Sequence, residues 1–241
     1  MQKIDHSLFP YYRFEHLGDG GMLHFVSSGS RTLGFPEGKD GAEVRENRRC
    51  LAQAVGFDPQ RLVTAQQVHG TRVAVVAAED AGRGAFDRES RIPETDALVT
   101  ATPGVCLMVL SADCVPVLLF DPVCRVVAAV HAGWRGTAAN IVARAVRVMR
   151  KQWGCLPGDI RAGIGPSIGP CCFEVGEEVA QIFGDLYPGV PGLVLPASGQ
   201  GKARVDLWAV NRRALLEAGL TLPPEADASA DVICKPRFGS A

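Results

Sequence analysis

Histidine is scarce in this sequence, with five in 241 residues, and net charge is nearly absent at −1. That balance excludes nucleic-acid binding driven by bulk electrostatics. No segment holds 18 uninterrupted apolar residues, so no helical membrane span is expected. The opening MQKIDHSLFPYYRFEHLGDGG lacks the apolar stretch and small-residue cleavage site of a secretory signal. Linkers, internal repeats and low-complexity tracts are also missing. The eight cysteines, Cys50, Cys106, Cys114, Cys124, Cys155, Cys171, Cys172 and Cys234, therefore read as reduced thiols and not as a disulfide framework. A cytoplasmic location is expected.

What the chain does have is apolar content of 47%, with 27 Gly and 16 Pro, the composition of a compact, loop-rich protein. Its length suits one domain spanning 1–241. Residues 28–41 are polar and Gly-rich and read as a loop. Residues 42–56 carry Val44, Cys50, Leu51 and Val55 at near-helical spacing. Residues 61–76 read as two short strands broken at His69-Gly70, and 96–100 and 104–112 as further strands. VPVLLF (115–120) and RVVAAVHA (125–132) flank an Asp-Pro turn, which predicts a hairpin. Residues 137–154 form an amphipathic helix, with Ile141, Val142, Ala145, Val148 and Met149 on one face. Arg144, Arg147, Arg150 and Lys151 populate the other. Residues 161–184 run from strand through a Gly/Pro loop to helix, and 202–220 from strand to a helix ending at Gly219. The fold class is α/β of the mixed, α+β kind. Without sustained βαβ alternation, a doubly wound parallel sheet is not expected.

Two of the five histidines stand out. His69 (QQVHG) and His131 (AVHAG) each end a β-branched run and precede a glycine, and Cys114 (SADCVP) occupies the same kind of position between strands. Strand ends that open into loops are where sites are built. One thiolate and two imidazoles with a position left open suit a catalytic zinc, and also copper. The same atoms suit a cysteine hydrolase pair, with Cys114 as thiolate and His131 as base. Each also has a plainer role as a core or surface residue, and 45 and 17 residues separate the three. Pattern alone leaves these readings open. His6, His16 and His24 are expected to face solvent.

Other residues offer to hold a substrate. In HAGWRGT, Arg135 and the helix start near Thr137 would make an anion site. GIGPSIGPCCFEVG has no Walker lysine and misses the dinucleotide spacing, so it reads as a rigid turn system. Cys171-Cys172 would make a poor disulfide. Asp113 and Glu174 are candidate acids. Trp134 and Phe173 could stack on a base or pack in the core.

DALVT, SADCVPVLLFD, VVAAVHAGWRGTAANIV, IGPSIGPCCFEVGEEV and VDLWAVNRRALLEAG occur in this order, over roughly 42 to 220. Together they closely resemble the laccase-domain family, also called multicopper polyphenol oxidase or YfiH-like. The resemblance implies a single layered domain of mixed sheets flanked by helices, related to cysteine hydrolases. It implies a metal held by His69, Cys114 and His131, usually zinc, with copper an alternative. Arg135 and Asp113 match motif residues that line the same pocket. The implied activity is phosphorolysis of adenosine, inosine and guanosine, extending to methylthioadenosine, with adenosine deamination beside it. Two alternatives accompany it: editing of peptidoglycan precursors by hydrolysis, and copper-dependent oxidation of phenols. The implied partners are a small nucleoside and phosphate, with no nucleic acid and no membrane. Oligomeric state is left open, and a monomer is compatible. The sequence departs from the family pattern at FVSSGSRTLGFPEG and at its end, ICKPRFGSA.

Overall fold

The computed structural model describes residues 1–18, 21–27, 31–37, 40–197, 199 and 201–223. Cys234 and the atypical chain end lie outside the described residues, as do parts of the polar segment 28–41.

The chain opens with β1 (Gln2–Ile4), β2 (Tyr11–Arg13), α1 (Glu15–Gly18) and β3 (Val26–Ser27). Then come α2 (Ala42–Val55), β4 (Leu62–Thr64), β5 (Val73–Val75), β6 (Ala97–Thr100) and β7 (Cys106–Met108). The centre holds β8 (Val115–Asp121), β9 (Val126–Ala132), α3 (Trp134–Ala138) and α4 (Ile141–Trp153). The chain continues with β10 (Arg161–Ile164), β11 (Glu174–Gly176), α5 (Glu177–Leu186), β12 (Val194–Pro196), β13 (Lys202–Val205) and α6 (Leu207–Glu217).

The main sheet has the order β10-β8-β9-β6-β5 and is antiparallel except for the β5–β6 pair. This is the mixed α/β architecture that the strand pattern implied. β8 and β9 form the expected hairpin, in register from Val115↔Ala132 to Asp121↔Val126. Period-two alternation assigns the faces. Val115, Val117 and Leu119 of β8, with Val126, Ala128, Val130 and Ala132 of β9, pack in the large core against Ile141, Val142, Ala145, Val146 and Met149 of α4. Pro116, Leu118 and Phe120, with Val127, Ala129 and His131, line a cavity on the opposite face. The cavity holds about 1150 Å³.

Three smaller sheets complete the fold. β1-β2-β3 carries Tyr11, which clusters with Phe9, Leu33 and with Leu51 and Val55 of α2. β4 and β7 pair in parallel, and β13 lies between β11 and β12. β7 is shorter than the strand expected over 104–112.

The helix expected over 137–154 is two. α3 is barely more than a turn, and α4 starts anew after Asn140, whose φ of 60° and ψ of 49° are left-handed. Asparagine tolerates that conformation better than most residues, so the break falls there. Gly154 closes α4 in the same region, with φ 71°. His24 is also not where expected. It is buried, and its Nε2 lies 3.0 Å from Phe14 N and 2.9 Å from Phe14 O. Cys171 departs from the expected reduced state, since it is disulfide-bonded. Its Sγ stands 3.2 Å from that of Cys172, a contact and not a bond.

Candidate metal centre

Strand parity explains why distant residues meet. Cys114 precedes β8 by one residue and shares the cavity side with Pro116 and Leu118. His131 occupies that side of β9, opposite Pro116. Asp96 precedes β6 by one residue and continues its ladder, since His131 N donates to Asp96 O at 2.8 Å. His69 comes from the loop between β4 and β5. One ligand atom each from His69, Cys114 and His131 lies within 4.8 Å of the others. The two imidazoles meet edge to face, with centroids 4.9 Å apart. His131 is buried, Cys114 half-buried and His69 exposed, so the group opens toward the cavity.

Asp96, fully buried, organises both histidines. Its Oδ1 accepts from His69 N at 2.9 Å and lies 2.9 Å from His131 Nδ1. Its Oδ2 accepts from Gly70 N at 2.8 Å and Val68 N at 3.3 Å. Three successive N–H groups thus converge on one carboxylate, an arrangement that a left-handed residue makes available. His69 is that residue, with φ 60°. Such a φ is sparsely populated by a non-glycine residue and is held here by the carboxylate.

The electrostatics follow from this geometry. Burial alone would raise the Asp96 carboxyl, but the His131 imidazole and the N–H groups of Gly70 and Val68 outweigh it and hold it below its usual range. Burial likewise opposes a charged His131, yet Asp96 and then Cys114 outweigh it, and His131 rises to about 9. With Nδ1 bonded to the carboxylate, Nε2 is left for a ligand, the arrangement found behind metal-binding histidines.

The donor set fits a zinc-sized ion. Tetrahedral zinc, with Zn–S of about 2.3 Å and Zn–N of about 2.0–2.1 Å, holds its ligand atoms roughly 3.3–3.6 Å apart, inside the 4.8 Å that bounds the separations here. Gly133, directly after β9, keeps the space open. A Cβ there would lie 2.9 Å from His69 Cδ2 and 3.2 Å from Cys114 Sγ.

The Gly/Pro loop has a bracing role. Gly165 N donates to Pro116 O at 2.8 Å and Ile168 N to Asp113 O at 2.9 Å, which clamps the Cys114 loop from behind. Trp208 Nε1 holds Ser167 Oγ at 2.7 Å. Ser111 Oγ also donates to Cys114 O.

The remaining candidates divide. Asp113 is exposed and lines the cavity. Arg135 is exposed, with its guanidinium 4.3 Å above the Trp134 ring, and is not among the residues that line the cavity. At the helix start the Thr137 N–H donates to Gly133 O at 2.8 Å. Thr137 is buried, donates to Ala132 O and accepts from Asn211 Nδ2 at 3.1 Å. Glu174 is exposed on β11 and is not among the residues that line the cavity. Trp134 and Phe173 pack partly buried against the core. Asp96 and Gly133 escaped the sequence reading. The available signal for Asp96 was an acid heading a strand of four buried residues, DALVT.

The family described as multi-copper polyphenol oxidoreductase laccase matches residues 21–240. The purine nucleoside phosphorylase YlmD of Geobacillus stearothermophilus is 37% identical over 191 residues, covering 79% of this chain and 70% of that protein. The adenosine deaminase RL5 of an unknown prokaryotic organism is 39% identical over 183 residues, 76% of this chain and 70% of that one. The crystal structure of the Bacillus licheniformis hypothetical protein YfiH superposes with a TM-score of 0.77 at 32% identity, covering 88% of this chain and 78% of that one. With sequence and fold in agreement, the chain belongs to the laccase-domain, YfiH-like family.

Proposed function

We propose that this chain is a metal-dependent purine nucleoside phosphorylase, acting on adenosine, inosine and guanosine, with adenosine deamination as a second activity of the same centre. One observation carries the reading: His69, Cys114 and His131 converge on the wall of a cavity of about 1150 Å³, room for a nucleoside and phosphate together. The relatives named as a phosphorylase and a deaminase support it. Zinc is the proposed ion. Copper would bind the same donors tightly by the general affinity order, so its presence would not indicate oxidase chemistry. A multicopper cluster needs more imidazoles than the two that reach the centre. His16 bonds Ala162 O and His24 is taken by Phe14.

In phosphorolysis a phosphate oxygen bonds to C1′ while the C1′–N9 bond breaks and the purine takes a proton. Bound zinc supplies Lewis-acid polarisation of a reacting oxygen. Asp96 holds His131 in one tautomer and fixes the His69 turn, so the donors are set before substrate arrives. Arg31, Arg61 and Arg125 line the cavity and supply positive charge toward a phosphate. Leu118, Phe120 and Val127 offer an apolar wall to the base.

A second reading has its own observation. Cys114, His131 and Asp96 stand in the order of a thiol, base and orienting acid, which suits a hydrolase such as a peptidoglycan-precursor editor. Chelation separates the two. Zinc-loaded protein is expected to convert adenosine and phosphate to adenine and ribose 1-phosphate, and to lose this with chelator and with Cys114→Ala. Unchanged adenosine, inosine and phosphate at full zinc occupancy would reject the phosphorylase reading.

A further inference from the structure

The hairpin carries a second cluster at its other end and on its other face. Asp121 ends β8 with the parity of Val117 and Leu119, Cys124 lies in the turn to β9, and Cys155 follows the Gly154 cap of α4. One carboxylate oxygen and the two Sγ atoms lie within 4.8 Å of one another. Asp121 is 0% and Cys155 2% exposed, while Cys124 is half-buried and gives the cluster its access. Six residues of strand separate this end of the hairpin from the first centre, about 20 Å.

Asp121 is the unusual member. Its Oδ1 is used by the turn, accepting from Val123 N at 2.8 Å and Cys124 N at 2.9 Å. Its Oδ2 is buried and accepts no hydrogen bond. None of the ion pairs among the described residues involves Asp121. The Cys155 thiol stands beside this carboxylate as its side-chain partner, but a buried carboxylate that meets no cation is still costly and demands an explanation. A disulfide between Cys124 and Cys155 would leave that oxygen as it is. A cation held by all three side chains would satisfy it.

We infer that Asp121, Cys124 and Cys155 form a second metal site, for a thiophilic divalent cation of the zinc class. Two thiolates and a carboxylate bring three negative charges to one doubly charged ion, and sulfur donors disfavour magnesium and calcium. The Trp153 carbonyl oxygen, 3.5 Å from Cys124 Sγ, is a fourth donor already at the cluster. The ion would tie the β8–β9 turn to the end of α4, far from the reacting atoms. Its role is structural, and it is independent of the activity proposed above.

The test uses the full chain carrying Cys114→Ala, which removes the first centre's thiolate, stripped with chelator and titrated with Co²⁺ under reducing conditions. The expected result is about one Co²⁺ bound with sulfur-to-cobalt charge-transfer absorption. Adding Cys124→Ser or Cys155→Ser should abolish that absorption. Asp121→Asn keeps an oxygen for the turn while removing the charge, and should weaken binding at least tenfold. Circular dichroism of each variant separates site loss from unfolding, and zinc-loaded Cys124→Ser should turn over nucleoside within twofold of wild type. The inference is overturned if Cys114→Ala protein shows no sulfur-ligated cobalt, or if that signal survives Cys124→Ser and Cys155→Ser. It is also overturned if mass analysis finds a Cys124–Cys155 disulfide under reducing conditions.

Discussion

Replacing Asp96 with Asn separates charge from shape at the residue that supports both histidines. The amide oxygen can still accept from His131 Nδ1 and His69 N, which share Oδ1. The amide nitrogen must then face Val68 N and Gly70 N, two donors that now bond Oδ2. Each buried group left unsatisfied costs about 1–3 kcal/mol, and breaking a buried charged pair costs about 3–5 kcal/mol. These describe the same loss, so the metal-free protein should lose about 3–5 kcal/mol in total. The assay is urea unfolding in chelator, wild type against Asp96→Asn. A second assay, competition with a chromophoric chelator, should show zinc held about 10–100-fold more weakly, because the His69 turn and the His131 ring are no longer fixed. If metal-free Asp96→Asn unfolds within about 0.5 kcal/mol of wild type, the range of an ordinary surface change, then Asp96 does not organise this corner.

Gly133→Ala would push a methyl group against His69 and Cys114, and should weaken zinc at least tenfold in the same competition assay while the circular dichroism spectrum stays native. Arg48 is 1% exposed and donates to Leu33 O, Gly84 O and Ala85 O, with its guanidinium 4.7 Å above the Phe35 ring. Arg48→Met leaves Leu33 O and Ala85 O without this donor, while Gly84 O keeps Thr64 Oγ1, and should cost about 2–6 kcal/mol in urea unfolding. Burial lowers His24 from its ordinary 6.5, so below that pH the unfolded chain takes a proton that the folded chain refuses. Its contribution is complete above pH 6.5 and is lost as pH falls through the folded value, so stability should drop with acid there and His24→Gln should flatten that slope.

The parts of the fold that were legible are those governed by local periodicity. VPVLLF and RVVAAVHA alternate around an Asp-Pro turn, and they form the hairpin with α4 on one face and the cavity on the other. The helix over 42–56 is α2, within a residue. The metal trio was visible only as residue types at strand ends until the motif resemblance joined them. What stayed hidden depends on pairing across long separations. Asp96 meets His131 over 35 residues, and a sequence window shows only an acid before a strand. Thr137 accepts from Asn211, 74 residues on, a core bond that the local strand-Gly-helix pattern does not reveal. Asn140 lies inside the helix expected over 137–154, and only its backbone angles reveal the break.

These separations imply that the centre's two functions, holding the ion and holding the fold, reside in different residues. Cys114 is half-buried in a loop braced through main-chain groups, by Ser111 Oγ to its own carbonyl, Ile168 N to Asp113 O and Gly165 N to Pro116 O. None of these bonds uses the thiol. Cys114→Ala should therefore leave metal-free stability within about 1 kcal/mol of wild type while removing tight zinc binding. Asp96→Asn should damage both. Zinc adds about 4 kcal/mol of stability at a thousandfold excess over its dissociation constant, so wild type and Cys114→Ala should differ in zinc and coincide in chelator. In chelator, the double variant Asp96→Asn/Cys114→Ala measures the coupling through His131, which both side chains touch, and should fall within about 1 kcal/mol of Asp96→Asn alone. A double variant markedly less stable than that would show that the Cys114 thiol bears on the fold through His131 even without metal, and would join the two functions in one network.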